Sequence, residues 1–317
     1  MVICMKINRK HVKDTFQEYT DHYDSSDPKI KLKIDHTYRV AQLCERIAHS
    51  LGLSEEDIDL AWLSGMLHDI GRFEQLRRYN TFSDAQSIDH AMFAVELLYD
   101  EGLITDYVTG LAGHRKVAGT SLQGKESDLS NKIEEKDFSE KMTEYRQDIG
   151  KTDKECERDS CELFKKELDI LREAIGNHSA YRIKKGLDER TQMFCHILRD
   201  ADKIDIFRVI CDTPMEEVYG FRTEDILQSG ITPEVKQAFL ERHAVLRSLK
   251  KQPADYIVAH GALVFELVYP ESIRIAGEQG YLERMMAFRS QNPDTADTFN
   301  ELRRYMKEYL EGKSEEA

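Results

Sequence analysis

The chain has 317 residues, 40% of them hydrophobic and 33% charged, with a formal net charge of −14. That length suits one elaborated domain or one domain with an appendage. The acidic balance excludes a long nucleic-acid-binding face, which needs clustered Lys and Arg, but leaves room for a small phosphorylated substrate held by a few local cations.

No segment approaches the roughly 18 apolar residues of a membrane span, so the expectation is a cytoplasmic protein with no membrane partner. The six cysteines form no C-x-x-C pair and are read as reduced. Cys44 and Cys195 fall on apolar helical positions and are expected to be small buried residues.

Apolar residues recur at spacings of three and four with almost no two-residue alternation, which predicts an all-α fold. Val40, Leu43, Ile47 and Leu51 form one helical stripe that ends near Gly52. Ser54 followed by Asp57 marks a helix start, and the apolar run from Ile58 to Ile70 reads as one buried helix ending at Gly71. A loop follows through Tyr79-Asn80 and Ser83-Asp84, and Ala94, Leu97 and Leu98 mark a helix that stops around Gly102.

The stretch from about 116 to 162 is rich in Lys, Glu, Asp, Ser and Gly and reads as a charged insertion, with order and disorder both open. Beyond it, Leu168, Leu171 and Ile175 mark a helix. Phe194, Leu198, Ala201, Ile206 and Val209 mark a longer one, closed by Asp212-Thr213-Pro214. Helical patterns resume at 233–250, 256–268 and 296–311. The expected organisation is a helical domain over 1–212 and a helical extension over 213–317 packed on it.

Several polar residues share the apolar faces of these helices. His36 precedes Val40 by four, His90 precedes Ala94 by four, His178 follows Ile175 by three, and Asp202 lies four residues from both Leu198 and Ile206. A single inward histidine is more often a hydrogen-bonded core residue than a ligand. An inward ionised carboxylate is costlier, so Asp69 and Asp202 each demand cations or a metal. His68 and Asp69 are consecutive at the end of an apolar run, and such a pair converges on one object only if that object sits between them. A metal ion meets that condition.

This ordered set resembles the HD-domain metal-dependent phosphohydrolases: His36-Thr37-Tyr38-Arg39-Val40, then Leu67-His68-Asp69-Ile70-Gly71-Arg72, then Arg199-Asp200-Ala201-Asp202-Lys203. The resemblance covers about residues 30–210 and implies an HD-domain helical bundle. It is similar to members with two further histidines, supplied here by His90 in Ser87-Ile88-Asp89-His90-Ala91 and His178 in Ala174-Ile175-Gly176-Asn177-His178. By that resemblance His36, His68 and Asp202 hold one metal, His90 and His178 hold a second, and Asp69 bridges them. His114 competes for either of the last two positions. His11, His22, His49, His196, His243 and His260 match no part of the motif.

The resemblance further implies two ions, iron first, with manganese, cobalt or zinc as alternatives. Asp69 and Arg72 are the catalytic candidates, Arg72 as a phosphate contact one turn past the His-Asp pair. Arg199 and Lys203 read as structural ion pairs. Tyr79 or Phe82, on the rim segment after Arg72, is placed to stack on a base. The leading functional expectation is hydrolysis of a phosphate ester or anhydride in a small nucleotide-like substrate, by a monomer or a homo-oligomer. A mixed-valent diiron oxygenase and a non-catalytic ligand-sensing HD module are the competing readings.

Overall fold

A computed structural model describes residues 7–108 and 154–316. The expectations for Cys4, for His114 and for the insertion up to residue 153 lie outside the described residues. Among those described there is no strand, and the fold is all-α.

Helix α1 (Arg9–Thr20) leads into α2 (Pro28–Ser50), which starts where local chemistry favours it. The Asp27 side chain accepts from Lys29 N, and Pro28, which has no N–H to leave unpaired, occupies the first turn. The helix stops at Leu51, and Gly52 takes the left-handed φ of 67° that reverses the chain. Ser54 then caps α3 (Glu55–Leu67) by accepting from Asp57 N.

The buried helix expected to run on to Gly71 is in fact two. Asp69 leaves helical geometry (φ −105°, ψ 15°) and separates α3 from α4 (Ile70–Tyr79). Apolar residues continue without interruption on both sides because both helices are buried, so periodicity carries no sign of the break. Gly71 sits in the first turn of α4 rather than at a helix end, and its Cα faces α5 (His90–Val95) so closely that a Cβ would stand 2.8 Å from His90 O. After α5 the chain makes a π turn (Glu96–Asp100), Gly102 adopts φ 81°, and α6 (Ile104–Tyr107) closes the first half.

Two long helices complete the frame around the polar residues: α7 (Lys154–Asn177), which takes in the last part of the charged stretch, and α8 (Glu189–Asp212). Helix α2 packs on α3 and α8, α7 packs on α5 and α8, and α4 packs on α5. Cys44 and Cys195 are buried and free within this packing.

The remaining chain forms α9 (Met215–Tyr219), α10 (Thr223–Gln228), α11 (Pro233–Leu240), α12 (Asp255–Gly261), α13 (Pro270–Gln279), α14 (Tyr281–Met286) and α15 (Pro293–Glu316). The helix expected over 233–250 ends at Leu240, because Arg242 takes a positive φ of 61° and turns the chain. The pattern at 256–268 resolves into α12 and a 3-10 turn, Ala262–Glu266. Helices α9, α10, α13 and α14 had no counterpart in the sequence reading, since five to ten residues offer too few turns for a period to emerge.

Helices α13 and α14 pack on α8, and the buried Asp200 of α8 accepts from Val268 N and Tyr269 N at 2.9 and 3.1 Å. One apolar core runs from Val12 to Tyr309.

Helix α3 approaches α2 closely at Gly65. A Cβ on Gly65 would lie 2.5 Å from Ala41 Cα, a backbone atom that cannot move alone. Gly65→Ala is therefore expected to destabilise the fold by about 1–3 kcal/mol through overpacking. Chemical denaturation checks this, and a stability matching wild type would show that the two helices separate freely.

Candidate metal centre

Six side chains from five elements meet in the space enclosed by α2, α3, α5, α7 and α8. His36 comes from α2, His68 and Asp69 from the α3–α4 junction, and His90 from the first residue of α5. His178 comes from the residue after α7, and Asp202 from α8. All six are nine-tenths or more buried. They comprise two compact groups that could hold a metal, His36-His68-Asp69 and Asp69-His90-His178, with Asp69 common to both.

Asp69 divides the cluster. Its Oδ2 lies 3.6 Å from both His36 Nε2 and His68 Nε2, while Oδ1 lies 3.6 Å from His90 Nε2 and 3.8 Å from His178 Nε2. Asp202 joins the first half, with Oδ1 at 3.2 Å from His36 Nε2 and 3.8 Å from His68 Nε2.

The outer edge of every imidazole is occupied. His68 Nδ1 lies 2.7 Å from Gly65 O, and His178 Nδ1 lies 2.7 Å from Ile175 O. A carbonyl can only accept, so both Nδ1 atoms carry the proton, and in the neutral ring both Nε2 atoms present a lone pair. His36 Nδ1 and His90 Nδ1 each meet a carboxylate at 2.7 Å, Asp205 and Asp84 respectively.

The inward edges crowd together as a result. His90 Nε2 and His178 Nε2 are 3.0 Å apart, and His36 Nε2 and His68 Nε2 are 3.3 Å apart. Lone pairs aimed at one another in a dry interior are unfavourable unless a cation lies among them, so the donors fit transition-metal ions.

The electrostatics agree. Burial pushes His178 down to about 3 and also lowers His68, so both rings are neutral ligand donors near pH 7. Burial opposes ionisation of Asp69, but its cationic neighbours, Lys33 first and then Arg72, outweigh it and hold the carboxyl well below the usual range. Asp202 is likewise lowered, with His36 overcoming burial. His36 is raised: burial and Lys33 pull it down, and Asp202 and Asp205 prevail.

Several contributors were not anticipated. Asp205 follows Asp202 by three on α8 and is fixed by a two-pronged hydrogen bond from Arg208 at 2.7 and 2.8 Å. Asp84 sits in a polar loop that resembles any turn, yet it accepts from Arg72, Gln75 and His90. Lys33, one turn before His36, places Nζ 2.7 Å from Asp69 Oδ2.

Arg199 and Lys203 differ from the ion pairs expected of them. Arg199 donates to the carbonyls of Asn177, His178 and Ala180 and so anchors the segment that carries His178. Lys203 reaches the Arg199 carbonyl at 3.3 Å, and burial lowers it to about 8.

Arg72 donates through one terminal nitrogen to Gln75, Asp84 and the Phe82 carbonyl, and its Nε lies 3.6 Å from Asp69 Oδ1. Tyr79 is half exposed, whereas Phe82 lies beneath the cationic groups of Lys33 and Arg72. None of His11, His22, His49, His196, His243 or His260 belongs to the two groups around Asp69.

The two halves have separate outer carboxylates, which makes them separable by mutation. Asp205→Asn is expected to weaken binding in the His36 half, and Asp84→Asn in the His90 half, each by about 10- to 100-fold. Metal titration of each variant with competing chelators checks this, and equal loss of both ions in both variants would show that the halves do not act separately.

The comparisons with known proteins fit this arrangement. The HD domain family model matches residues 34–207, from just before His36 to just beyond Asp205. The chain is 23% identical over 121 residues to 3'3'-cGAMP-specific phosphodiesterase 1 of Vibrio cholerae, a match covering 34% of this chain and 28% of that protein. The match thus spans under a third of that relative's length. No solved structure matches. With the family model covering more than half of its length and the His and Asp residues drawn together at one centre, the chain belongs to the HD domain family.

Proposed function

We propose that this protein hydrolyses a phosphate ester or anhydride in a small nucleotide-like substrate, using water activated at a centre of two ions. One observation carries the reading: the two oxygens of Asp69 face different histidine pairs, Oδ2 toward His36 and His68 and Oδ1 toward His90 and His178. His36, His68 and Asp202 would hold one ion, His90 and His178 the other, with Asp69 across both. Bound there, two ions lower the pKa of a shared water and stabilise charge on phosphoryl oxygens.

The chain's own residues supply the remaining parts. Neutral His68 and His178 offer nitrogen without adding charge, and Asp69 and Asp202 offset the charge of the cations. The donor set of four imidazoles and two carboxylates suits iron, manganese, cobalt or zinc and does not favour magnesium; iron comes first only by the resemblance to dinuclear HD-domain members. Arg72, held by Gln75 and Asp84 beside Asp69, is placed to meet a phosphoryl oxygen. The name of the Vibrio cholerae relative supports phosphoester chemistry in general.

We take 1–212 as the metal-binding unit and 213–317 as an extension docked on α8, a docking supported by the hydrogen bonds that Asp200 accepts from the segment before α13. A cytoplasmic setting is supported by the free, buried Cys44 and Cys195. Among the described residues no helix is long and apolar enough to cross a membrane.

Purified protein loaded in turn with iron, manganese, cobalt and zinc should release phosphate or a phosphomonoester from at least one class among nucleotides, dinucleoside polyphosphates and cyclic dinucleotides. His68→Ala and Asp69→Ala should lower that rate by roughly a thousandfold. Oxygen consumption with an organic substrate, and no phosphate release with any of the four metals, would replace hydrolysis by oxygenation at the same residues.

A further inference from the structure

Asp69 Oδ2, which faces His36 and His68, is also the partner of Lys33, whose Nζ stands 2.7 Å away. Lys33 is on α2, three residues before His36, so its stem runs along the helix face that delivers a histidine to the centre. The side chain is 16% exposed, which makes it one of the routes from the cluster toward the surface. Its ammonium lies 5.4 Å from the centre of the Phe82 ring, and the Arg72 guanidinium lies 5.8 Å from the same ring.

These two cations differ in freedom. One terminal nitrogen of Arg72 is fixed to Gln75, Phe82 and Asp84. Asp69 is the carboxylate that pairs with Lys33, and the rest of the lysine is a four-carbon stem, intrinsically more flexible than a guanidinium fork.

We propose that Lys33 is a substrate-positioning arm: it neutralises Asp69 while the ions are absent, and it turns to a non-bridging phosphoryl oxygen of the substrate once they are bound. The inference rests on the hydrolase reading given above. A metal cation on Asp69 Oδ2 would draw on the same negative charge and repel the ammonium that now stands 2.7 Å away, so the carboxylate would hold Lys33 less strongly. Lys33 is then free to exchange partners, and the Phe82 ring holds its charged end beside the centre. An anionic oxygen arriving above the ions is the partner that replaces the carboxylate. Lys33 thereby couples metal loading to anion capture: without ions it occupies Asp69, and with them it is available to phosphate.

The test uses the full chain, with inorganic phosphate as the probe. Metal affinity, the thermal melt, phosphate binding by calorimetry, and kcat and KM are compared for wild type, Lys33→Met and Lys33→Arg. Lys33→Met should melt cooperatively and bind metal at least as tightly as wild type, because a competitor for Asp69 has gone. Its phosphate Kd in the metal-loaded state should rise by about ten- to a hundredfold, the loss expected for one charge-assisted hydrogen bond. Its KM should rise more than its kcat falls, and Lys33→Arg should recover most of the phosphate affinity.

An unchanged phosphate Kd in Lys33→Met would overturn the proposal, and so would loss of metal from that variant, which would make Lys33 a structural support of Asp69. If wild-type protein loaded with metal neither bound phosphate nor cleaved any phosphoester, the hydrolase reading itself would fail. That outcome is distinct from a wild type that hydrolyses and a Lys33→Met protein that matches it.

Discussion

Two carboxylates in the middle of a helical bundle, Asp69 and Asp202, are 2% and 9% exposed and held ionised by their surroundings. Moving a carboxylate out of water costs several kcal/mol even after a protein relaxes, so the interior around these two must return that energy. Lys33 and Arg72 supply part of it for Asp69, and His36 supplies part of it for Asp202. The neutral His68 and His178 contribute no charge of their own, and the crowding of four Nε2 atoms adds a second unfavourable term. Ions bound between the rings would relieve both terms together.

Much of the surrounding structure can be read as support for that arrangement. Gly65 lets α3 approach α2 at Ala41 and lends its carbonyl to His68, so one residue sets both the distance between two helices and the orientation of a ring. Gly71 allows a similar close approach of α4 to α5, where a side chain would collide with the backbone at His90. The interruption at Asp69 turns its carboxylate out of the helical path and allows its two oxygens to face different histidine pairs. Arg199 gathers the carbonyls that end α7, and Asp200 binds the backbone before α13, so neighbouring residues of α8 fasten both the His178 segment and the C-terminal helices.

The all-α class was legible because it follows from periodicity, which also turned His36, His90, His178 and Asp202 inward; their grouping with His68 and Asp69 came from the resemblance to HD-domain proteins. An apolar stripe at helical spacing determines which way His36, His90 and Asp202 face, and a buried carboxylate among inward histidines points to a shared centre. What stayed hidden depends on contacts between distant elements. Asp84 looks like a turn residue until α5 brings His90 Nδ1 to it, and Asp205 looks like a second charge on α8 until His36 approaches from α2. The break at Asp69 was hidden for a different reason, since α3 and α4 are both buried and their apolar patterns join without a seam. Arg199 and Lys203, which suggest ion pairs by their charge, instead bond to backbone carbonyls.

The central claim is that Asp69 lies across two ions. Anaerobic metal analysis of the full chain, combined with anomalous scattering from crystals of the loaded protein, tests it most directly. The account predicts two ions per chain about 3.5–4 Å apart, one beside His36, His68 and Asp202, one beside His90 and His178, with one oxygen of Asp69 on each. A single ion per chain, or two ions of which only one touches Asp69, would contradict it.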